Sequence, residues 1–480
     1  MAYIKRNAMY IFYAAAGLLL YVGGISAPYF SDDFTVFFPP GTINPFALFV
    51  MKNPYEPTVY RPLEVFFNAT VQIFFGESTF PIHLAHIALH ITIACLIHKA
   101  LIRLTMDKVA AGIGGTLFLA AQSAVSVVAR NCTMAQQLSA LFCLLFSYVL
   151  AFSEKKRKRL TLCALFALAL ISKETSISLL ASAAFLHFLL AKKPGRVIAA
   201  AKECVPYALL TAAYLCGRLA LGLEIVGTTG RQMFGLGLNV VRNIGLLLFS
   251  TVNQTSAPEV FKAFVLRDYA LLGGAFAVAA LLLAAIYVGF RKQKKIRWAL
   301  TLATLMGISY FPVALMDHVS EVYVYNALAF FCMLAGIGVG ALFKRGKALR
   351  ALGLATTLIV LTVNVLSLRQ GLGLIVHNAQ TAQSLIEQIR DTAADSPPGA
   401  TVHLIDTDHK TLRYAYSLYY MTEASTLQYG WKKSFLYFLR RDDVHFAYRT
   451  EADVAYIKRQ DGDLLLTVQN GRVVPYTGSE

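Results

Sequence analysis

Charge is what this sequence has least of. Asp, Glu, Lys and Arg make up 15% of its 480 residues, against about a quarter in a soluble domain. Hydrophobic residues make up 57% and the mean hydropathy is +0.56. Apolar runs of bilayer-spanning length recur through roughly the first 370 residues. Soluble folds are thereby excluded. Acidic residues are the scarcer sign, 27 against 44 basic ones, for a net charge of +17. The basic surplus sits in short loops: Lys5 and Arg6; Lys99, Arg103 and Lys108; 155–159; Lys192, Lys193 and Arg196; 291–297; 344–350. Short loops rich in Lys and Arg stay in the cytoplasm. The charge is a topology signal, and no nucleic-acid partner is expected.

Cysteine pairs and repeats are also missing. The seven Cys lie in or beside apolar segments, none forms Cys-x-x-Cys, and 396–480 contains none. They read as small hydrophobes, which excludes a disulfide framework or a cysteine zinc site. No solenoid period is visible.

What is present is a run of membrane segments. With the N-terminus inside, the first covers 8–27, read as an uncleaved helix rather than a signal peptide. The others are expected at 81–104, 109–129, 133–152, 160–171, 175–191, 203–223, 269–290, 298–316, 322–343 and 349–368. About eleven spans put every basic loop inside and the C-terminus outside. Residues 236–252 are apolar, but as a span they would invert the following basic loop, so they read as a re-entrant or interfacial helix. The expected fold is mainly α: a polytopic helix bundle over 1–370, a linker helix over 371–395 and a small extracytoplasmic α/β domain over 396–480. Within that domain 401–406 reads as a strand, 410–421 and 431–440 as helices, and 453–476 as a three-stranded meander.

Chemistry concentrates at the outer ends of these segments. The loop 27–80 opens with Ser31-Asp32-Asp33 and later carries Tyr60-Arg61-Pro62-Leu63. Adjacent carboxylates at a membrane helix end are costly unless water or a ligand meets them. They suit a general base or a divalent metal site; Ser31 and Asp32 suit capping of a loop helix equally well. Ser172-Lys173-Glu174 breaks an apolar stretch and predicts two short helices meeting at a polar cavity, since irregular backbone at membrane depth needs such a lining. His83, His86 and His90 share one helix face and read as a polar stripe facing that cavity, with a metal as the lesser alternative. Asp317, His318 and Glu321 occupy a short outer loop, solvated or contacting an acceptor or a metal.

The acidic pair, Arg61-Pro62-Leu63, a second span with His90 in its middle, Ser172-Lys173-Glu174 and Glu321-Val322-Tyr323-Val324-Tyr325 together resemble the C-type (GT-C) glycosyltransferase superfamily. The branch is that of the protein O-mannosyltransferases and the lipid A aminoarabinose transferase. Val322 stands where that branch usually has Arg, and Gln122-Ser123 where it often has His-Pro. The resemblance implies a polyprenyl-phosphate sugar donor and an acceptor (glycan, lipid or protein) reaching the site from the outer side. It makes Asp32 the base, with Asp33 as alternative or helper. The leaving phosphate then needs cations: Arg61, Lys173 and Arg218, with Tyr60 and Glu174 lining the cavity. Arg130, at a helix end, reads rather as an interfacial, snorkelling side chain. The competing class is a transporter or flippase. It would show internal repeats and mid-membrane sites, whereas the charges here gather at helix ends.

Overall fold

In a bilayer a backbone must satisfy its own polar groups, so apolar segments of this length become helices. The computed structural model describes residues 2–54, 59–154, 156–191, 195–223, 235–291, 296–316, 319–408, 419–428 and 433–477. Its helices are α1 Ala2–Tyr21, α2 Pro62–Phe75, α3 Phe80–Thr105, α4 Lys108–Ala120, α5 Val125–Val128 and α6 Met134–Phe152. Then come α7 Lys158–Ser172, α8 Ser178–Leu190, α9 Arg196–Ala220, α10 Leu238–Val252, α11 Ala257–Leu266 and α12 Tyr269–Phe290. The last four are α13 Ile296–Ala314, α14 Tyr325–Leu342, α15 Lys347–Thr392 and α16 Lys433–Leu439.

Among the described residues seven helices are long and apolar enough to cross a membrane, or eight if the bent pair Lys108–Ala120 and Gln122–Val128 counts as one span. The expected eleven include α7, α8 and α9 as well. The first two have only 15 and 13 residues, and α9 carries charge along its 25. The chain is an integral membrane protein and mainly helical.

Basic residues of several of the described loops sit at helix ends. Lys344 pairs with Asp107 at 2.8 Å, and Asp107 in turn caps α4 through Val109 N and Ala110 N. Arg345 donates to the Val288 and Gly289 carbonyls at the end of α12, and Arg297 to Leu189 O at the end of α8. Cations at helix C-termini satisfy carbonyls that have no partner within the helix.

The expected break at Ser172-Lys173-Glu174 is present. Lys173 is extended, and a 3-10 turn, Glu174–Ile177, leads into α8. The expected span 109–129 differs: it is bent by 49° after Ala120. Asn364 of α15 causes the bend to hold, because its Oδ1 accepts from Gln122 N at 2.9 Å where the helix ladder is interrupted. The expected interfacial segment 236–252 is α10, too short to span. The linker read over 371–395 is not a separate element: α15 runs unbroken for 46 residues, through the membrane part and beyond.

The C-terminal sheet joins β1 Thr401–Asp406, β2 His445–Thr450, β3 Leu464–Gln469 and β4 Arg472–Pro475 in the order β2-β1-β3-β4. β1 is parallel to β2 and to β3; β3 and β4 form an antiparallel hairpin. The expected meander is therefore half right. Asn470 and Gly471 turn the hairpin with positive φ, but 451–456 is a 3-10 turn, because Thr450 and Asp453 form a capping box. The helix expected over 410–421 lies largely outside the described residues. Gln388 of α15 docks the sheet edge, accepting from Val473 N and donating to Gly471 O.

Small residues set the central packing. A Cβ on Gly336 or Gly340 of α14 would fall 2.6–2.7 Å from Ala110 backbone in α4, and one on Gly289 of α12 would fall 1.9 Å from Gly338 O. Such close approach is how membrane helices gain contact without a hydrophobic drive between them. Gly289→Val and Gly336→Val are expected to abolish most of the monodisperse protein recovered in detergent by gel filtration. Gly273→Val, where a Cβ meets open space, is expected to leave recovery unchanged.

Candidate active site

The site forms at the helix ends opposite the described basic loops, from the residues that follow α1. Beyond the buried Tyr29 and Phe30, Ser31 takes a left-handed backbone with φ 51°, and a 3-10 turn runs Ser31–Val36. Its N-cap is Phe30, with no side-chain cap bond, so the capping reading of Ser31 and Asp32 is not what these side chains do. Asp32 accepts from Arg130 Nη2 at 3.3 Å, and Asp33 Oδ1 lies 3.9 Å from Arg130 Nε. Asp33 also accepts from Asn131 Nδ2 at 3.2 Å and Cys132 N at 3.1 Å. The two carboxylates thus differ: the Asp32 side chain is 39% exposed and that of Asp33 is 1%. One is available to a substrate and the other is fixed inside.

Arg130 corrects the snorkelling expectation. It is buried, with its guanidinium over the Phe30 ring. The local cause is the turn after α5: Arg130 is extended, and a 3-10 turn, Asn131–Thr133, points Asn131 and Cys132 N at Asp33.

A second charged group stands at the α7–α8 break. Arg61 and Glu174 form a bidentate pair, Nε to Oε2 at 2.9 Å and Nη2 to Oε1 at 2.6 Å. Glu64, buried one turn into α2, accepts from Ala135 N at 2.9 Å; burial pushes its carboxyl above the ordinary range, against Arg61 and that hydrogen bond. Lys173 lies between these acids and is 4% exposed. Its ammonium sits 5.4 Å from the Tyr323 ring centre, and among the described residues nothing accepts a hydrogen bond from it. Ala135, bonded to Glu64, lies two residues beyond the Asn131–Thr133 turn that meets Asp33, which joins this group to the acidic turn. Arg218 is buried and donates to Tyr214 OH at 3.4 Å. Tyr214 packs beside Tyr60, whose hydroxyl donates to Phe49 O, and it also lies near Arg61 and Glu174.

The structure does not bring the histidine stripe to an open cavity. His83, His86 and His90 are at most 1% exposed. His83 Nε2 meets Ala27 O, and His90 links Tyr325 OH and Leu119 O, so they tie α3 to its neighbours. That helix face points into the bundle, where both ring nitrogens of His86 are buried without a hydrogen-bond partner among the described residues. Glu321 is buried rather than solvated and accepts from Ala257 N at 2.6 Å. Asp317 and His318 lie outside the described residues. Among the described residues no three His, Cys, Asp or Glu converge as metal ligands. Arg130 occupies the anionic side of the acidic pair, so the pair as it stands does not fit a divalent ion.

Sequence reasoning missed Asn131 and Gln428. Gln428 Nε2 donates to Ser31 Oγ at 3.0 Å across 397 residues, and no motif announces either residue.

Residues 60–217 match the family described as dolichyl-phosphate-mannose-protein mannosyltransferase. No curated protein sequence matches the chain. Among solved structures, ArnT from Cupriavidus metallidurans bound to undecaprenyl phosphate is similar at TM-score 0.57 and 11% identity, over 98% of this chain and 97% of that one. The archaeal oligosaccharyltransferase AglB from Archaeoglobus fulgidus, in complex with an inhibitory peptide and a dolichol-phosphate, is similar at TM-score 0.51 and 12% identity, over 84% of this chain and 62% of that one. The likeness is one of fold: the chain has the fold of ArnT, a GT-C fold.

Proposed function

We propose that the protein is a membrane glycosyltransferase moving a sugar from a polyprenyl-phosphate donor to a hydroxyl or amine of a glycan, lipid or protein. The observation that carries this reading is Lys173. A buried ammonium without a hydrogen-bond acceptor is costly in a membrane protein, and an anionic phosphate supplies what it lacks. Arg61 adds a cation beside it, and Arg218 one on Tyr214, which lies near Arg61 and Glu174. The polyprenyl-phosphate ligands of ArnT and AglB support the same choice of donor, as does the family matched by residues 60–217.

In this reading the acceptor oxygen or nitrogen attacks the anomeric carbon and the bond from that carbon to the phosphate oxygen breaks. The lipid phosphate leaves with the electron pair toward Lys173 and Arg61. Asp32 takes the acceptor proton, and a single displacement inverts the anomeric centre. Arg130 orients Asp32 through its 3.3 Å contact, with Asp33 as a second, 3.9 Å ion-pair neighbour of the same guanidinium. No metal step is needed for the balance. Incubating the purified protein with a panel of polyprenyl-phosphate sugars and an acceptor extract tests the reading: release of free lipid phosphate is expected, and its absence across the panel would count against it.

Asp32→Asn is expected to cut turnover about a hundredfold to ten-thousandfold, the usual worth of a general base, with yield and donor KM near normal. Asp33→Asn is expected to lower the yield of folded protein instead, because one of two buried acceptor oxygens becomes an NH2 facing another donor. An Asp32→Asn protein with near-normal turnover would move the base elsewhere.

Lys173→Met is expected to weaken donor binding about tenfold to hundredfold, the worth of charge-assisted hydrogen bonds. Thermal stability in detergent should hold, since Glu174 keeps its bidentate partner Arg61. Parallel loss of stability and activity would mark Lys173 as a structural partner of Glu174.

In this reading the site face, with residues 396–480, lies on the outer side, because the described basic loops lie at the opposite helix ends. A thiol introduced by Lys458→Cys, at an exposed position, is expected to react with an impermeant maleimide in intact cells. Labelling only after the membrane is opened would reverse the orientation. Gly462, nearby, is unsuitable: its φ is 90° and a Cβ would meet Pro397 at 2.3 Å.

A further inference from the structure

The turn that presents Asp32 is not held by the membrane helices alone. Ser31 is fully buried with a left-handed backbone, a conformation only a few per cent of non-glycine residues adopt. Such a conformation persists where surrounding contacts over-determine it. Among the described residues the partner of its hydroxyl is Gln428 Nε2, 3.0 Å away. Gln428 ends a turn, Ala424–Leu427, all of it buried, whose backbone is closed by Thr422 and Ser425. Thr422 is anchored on Asp406 at the end of β1. From the other side, α16 sets Phe435 and Phe438 against Phe34, with ring centres 5.1 and 5.6 Å apart, and Phe438 against Phe37 at 4.6 Å. The acidic turn is thus gripped between two parts of the C-terminal domain, and Gln428 makes the directional contact one residue before Asp32.

We propose that Gln428 is a positioning residue: its hydrogen bond to Ser31 fixes the left-handed turn that aims Asp32, so that the C-terminal domain completes the active site. The proposal rests on the reading of Asp32 as the base. Gln428 touches neither substrate nor reacting atoms and acts through Ser31. A displacement of about 1 Å in a reacting group costs about a hundredfold, so an effect of that order on turnover is the scale to look for.

The test is Gln428→Met, which keeps length and volume and removes the donor. Hydrogen–deuterium exchange over 30–38, the kcat and donor KM for lipid-phosphate release, and the detergent melting temperature are measured together. Faster exchange at 31–36, a tenfold to hundredfold lower kcat, and an unchanged KM and melting temperature are expected. Ser31→Gly adopts the left-handed turn without Cβ strain and is expected to recover part of the kcat in the Gln428→Met background; Ser31→Ala is not. Unchanged exchange at 31–36 overturns the positioning role whatever the activity does. Parallel falls in melting temperature and kcat, with no recovery by Ser31→Gly, also overturn it. If the unmodified protein and Asp32→Asn release equal amounts of lipid phosphate while exchange still rises, the base assignment has failed, and the role of Gln428 in aiming a base falls with it.

Discussion

Everything at the site depends on one buried guanidinium. Arg130 is out of water, and a charge so placed must be matched by acceptors close at hand. Two carboxylates meet it, and the match is unequal. Asp33 gives up its solvent contact and is fixed by Asn131 and Cys132 N as well. Asp32 keeps more than a third of its side-chain exposure. Arg130 cannot be deprotonated, so its charge is permanent and its pull on both carboxylates is constant. An acidic pair without the arginine would repel itself; an arginine with one acid would leave no carboxylate free for chemistry.

The second constraint is where the helices stop. In a bilayer a helix can end only where another group completes its backbone. The end of α7 at Ser172 leaves Lys173 extended beside Arg61, Glu64 and Glu174, and the end of α4 at Ala120 hands Gln122 N to Asn364. Both interruptions occur on the face that carries Asp32. The bundle therefore spends its irregular backbone on one side, where polar groups are wanted. Its closest helix contacts, around Gly336, Gly338 and Gly340, lie in α14 and its neighbours and keep the frame rigid.

These levels differ in how far they could be read from the chain. Helix positions follow from hydropathy and basic loops because membrane burial is a property of local composition. The break at Ser172-Lys173-Glu174 was legible for the same reason: no uninterrupted span tolerates that pair. The partners of Asp32 were not legible. Arg130 lies 98 residues away, and its place at a helix end gave the local signal of an interfacial anchor, a signal that burial overrides. The histidine spacing gave the right shared face and the wrong surroundings, since periodicity says which side chains align and not what they align against. In the C-terminal domain the hairpin at Asn470-Gly471 was legible from turn chemistry. The parallel pairing of β1 with β2 and β3 was not, because parallel partners are distant in sequence and carry no turn between them.

The continuous α15 explains how such distant parts share one site. Its first half packs in the membrane part, where Asn364 closes the α4 bend; its second half carries Gln388, which docks the sheet. Gly371, between them, leaves room for the Tyr419 ring, so the segment leading to Gln428 enters against the same helix. A separate linker with a turn at 371 would let the sheet move relative to the bundle. A single helix across that point transmits the position of the bundle to the domain, and the domain returns it to the acidic turn through Gln428 and the Phe34–Phe435 contact. The loop after α1 is short of contacts of its own kind, with a left-handed serine and no side-chain cap. It is ordered from two sides, by Asp33 on Asn131 and Cys132 N and by this closed path through α15, which holds it from the far end of the sequence.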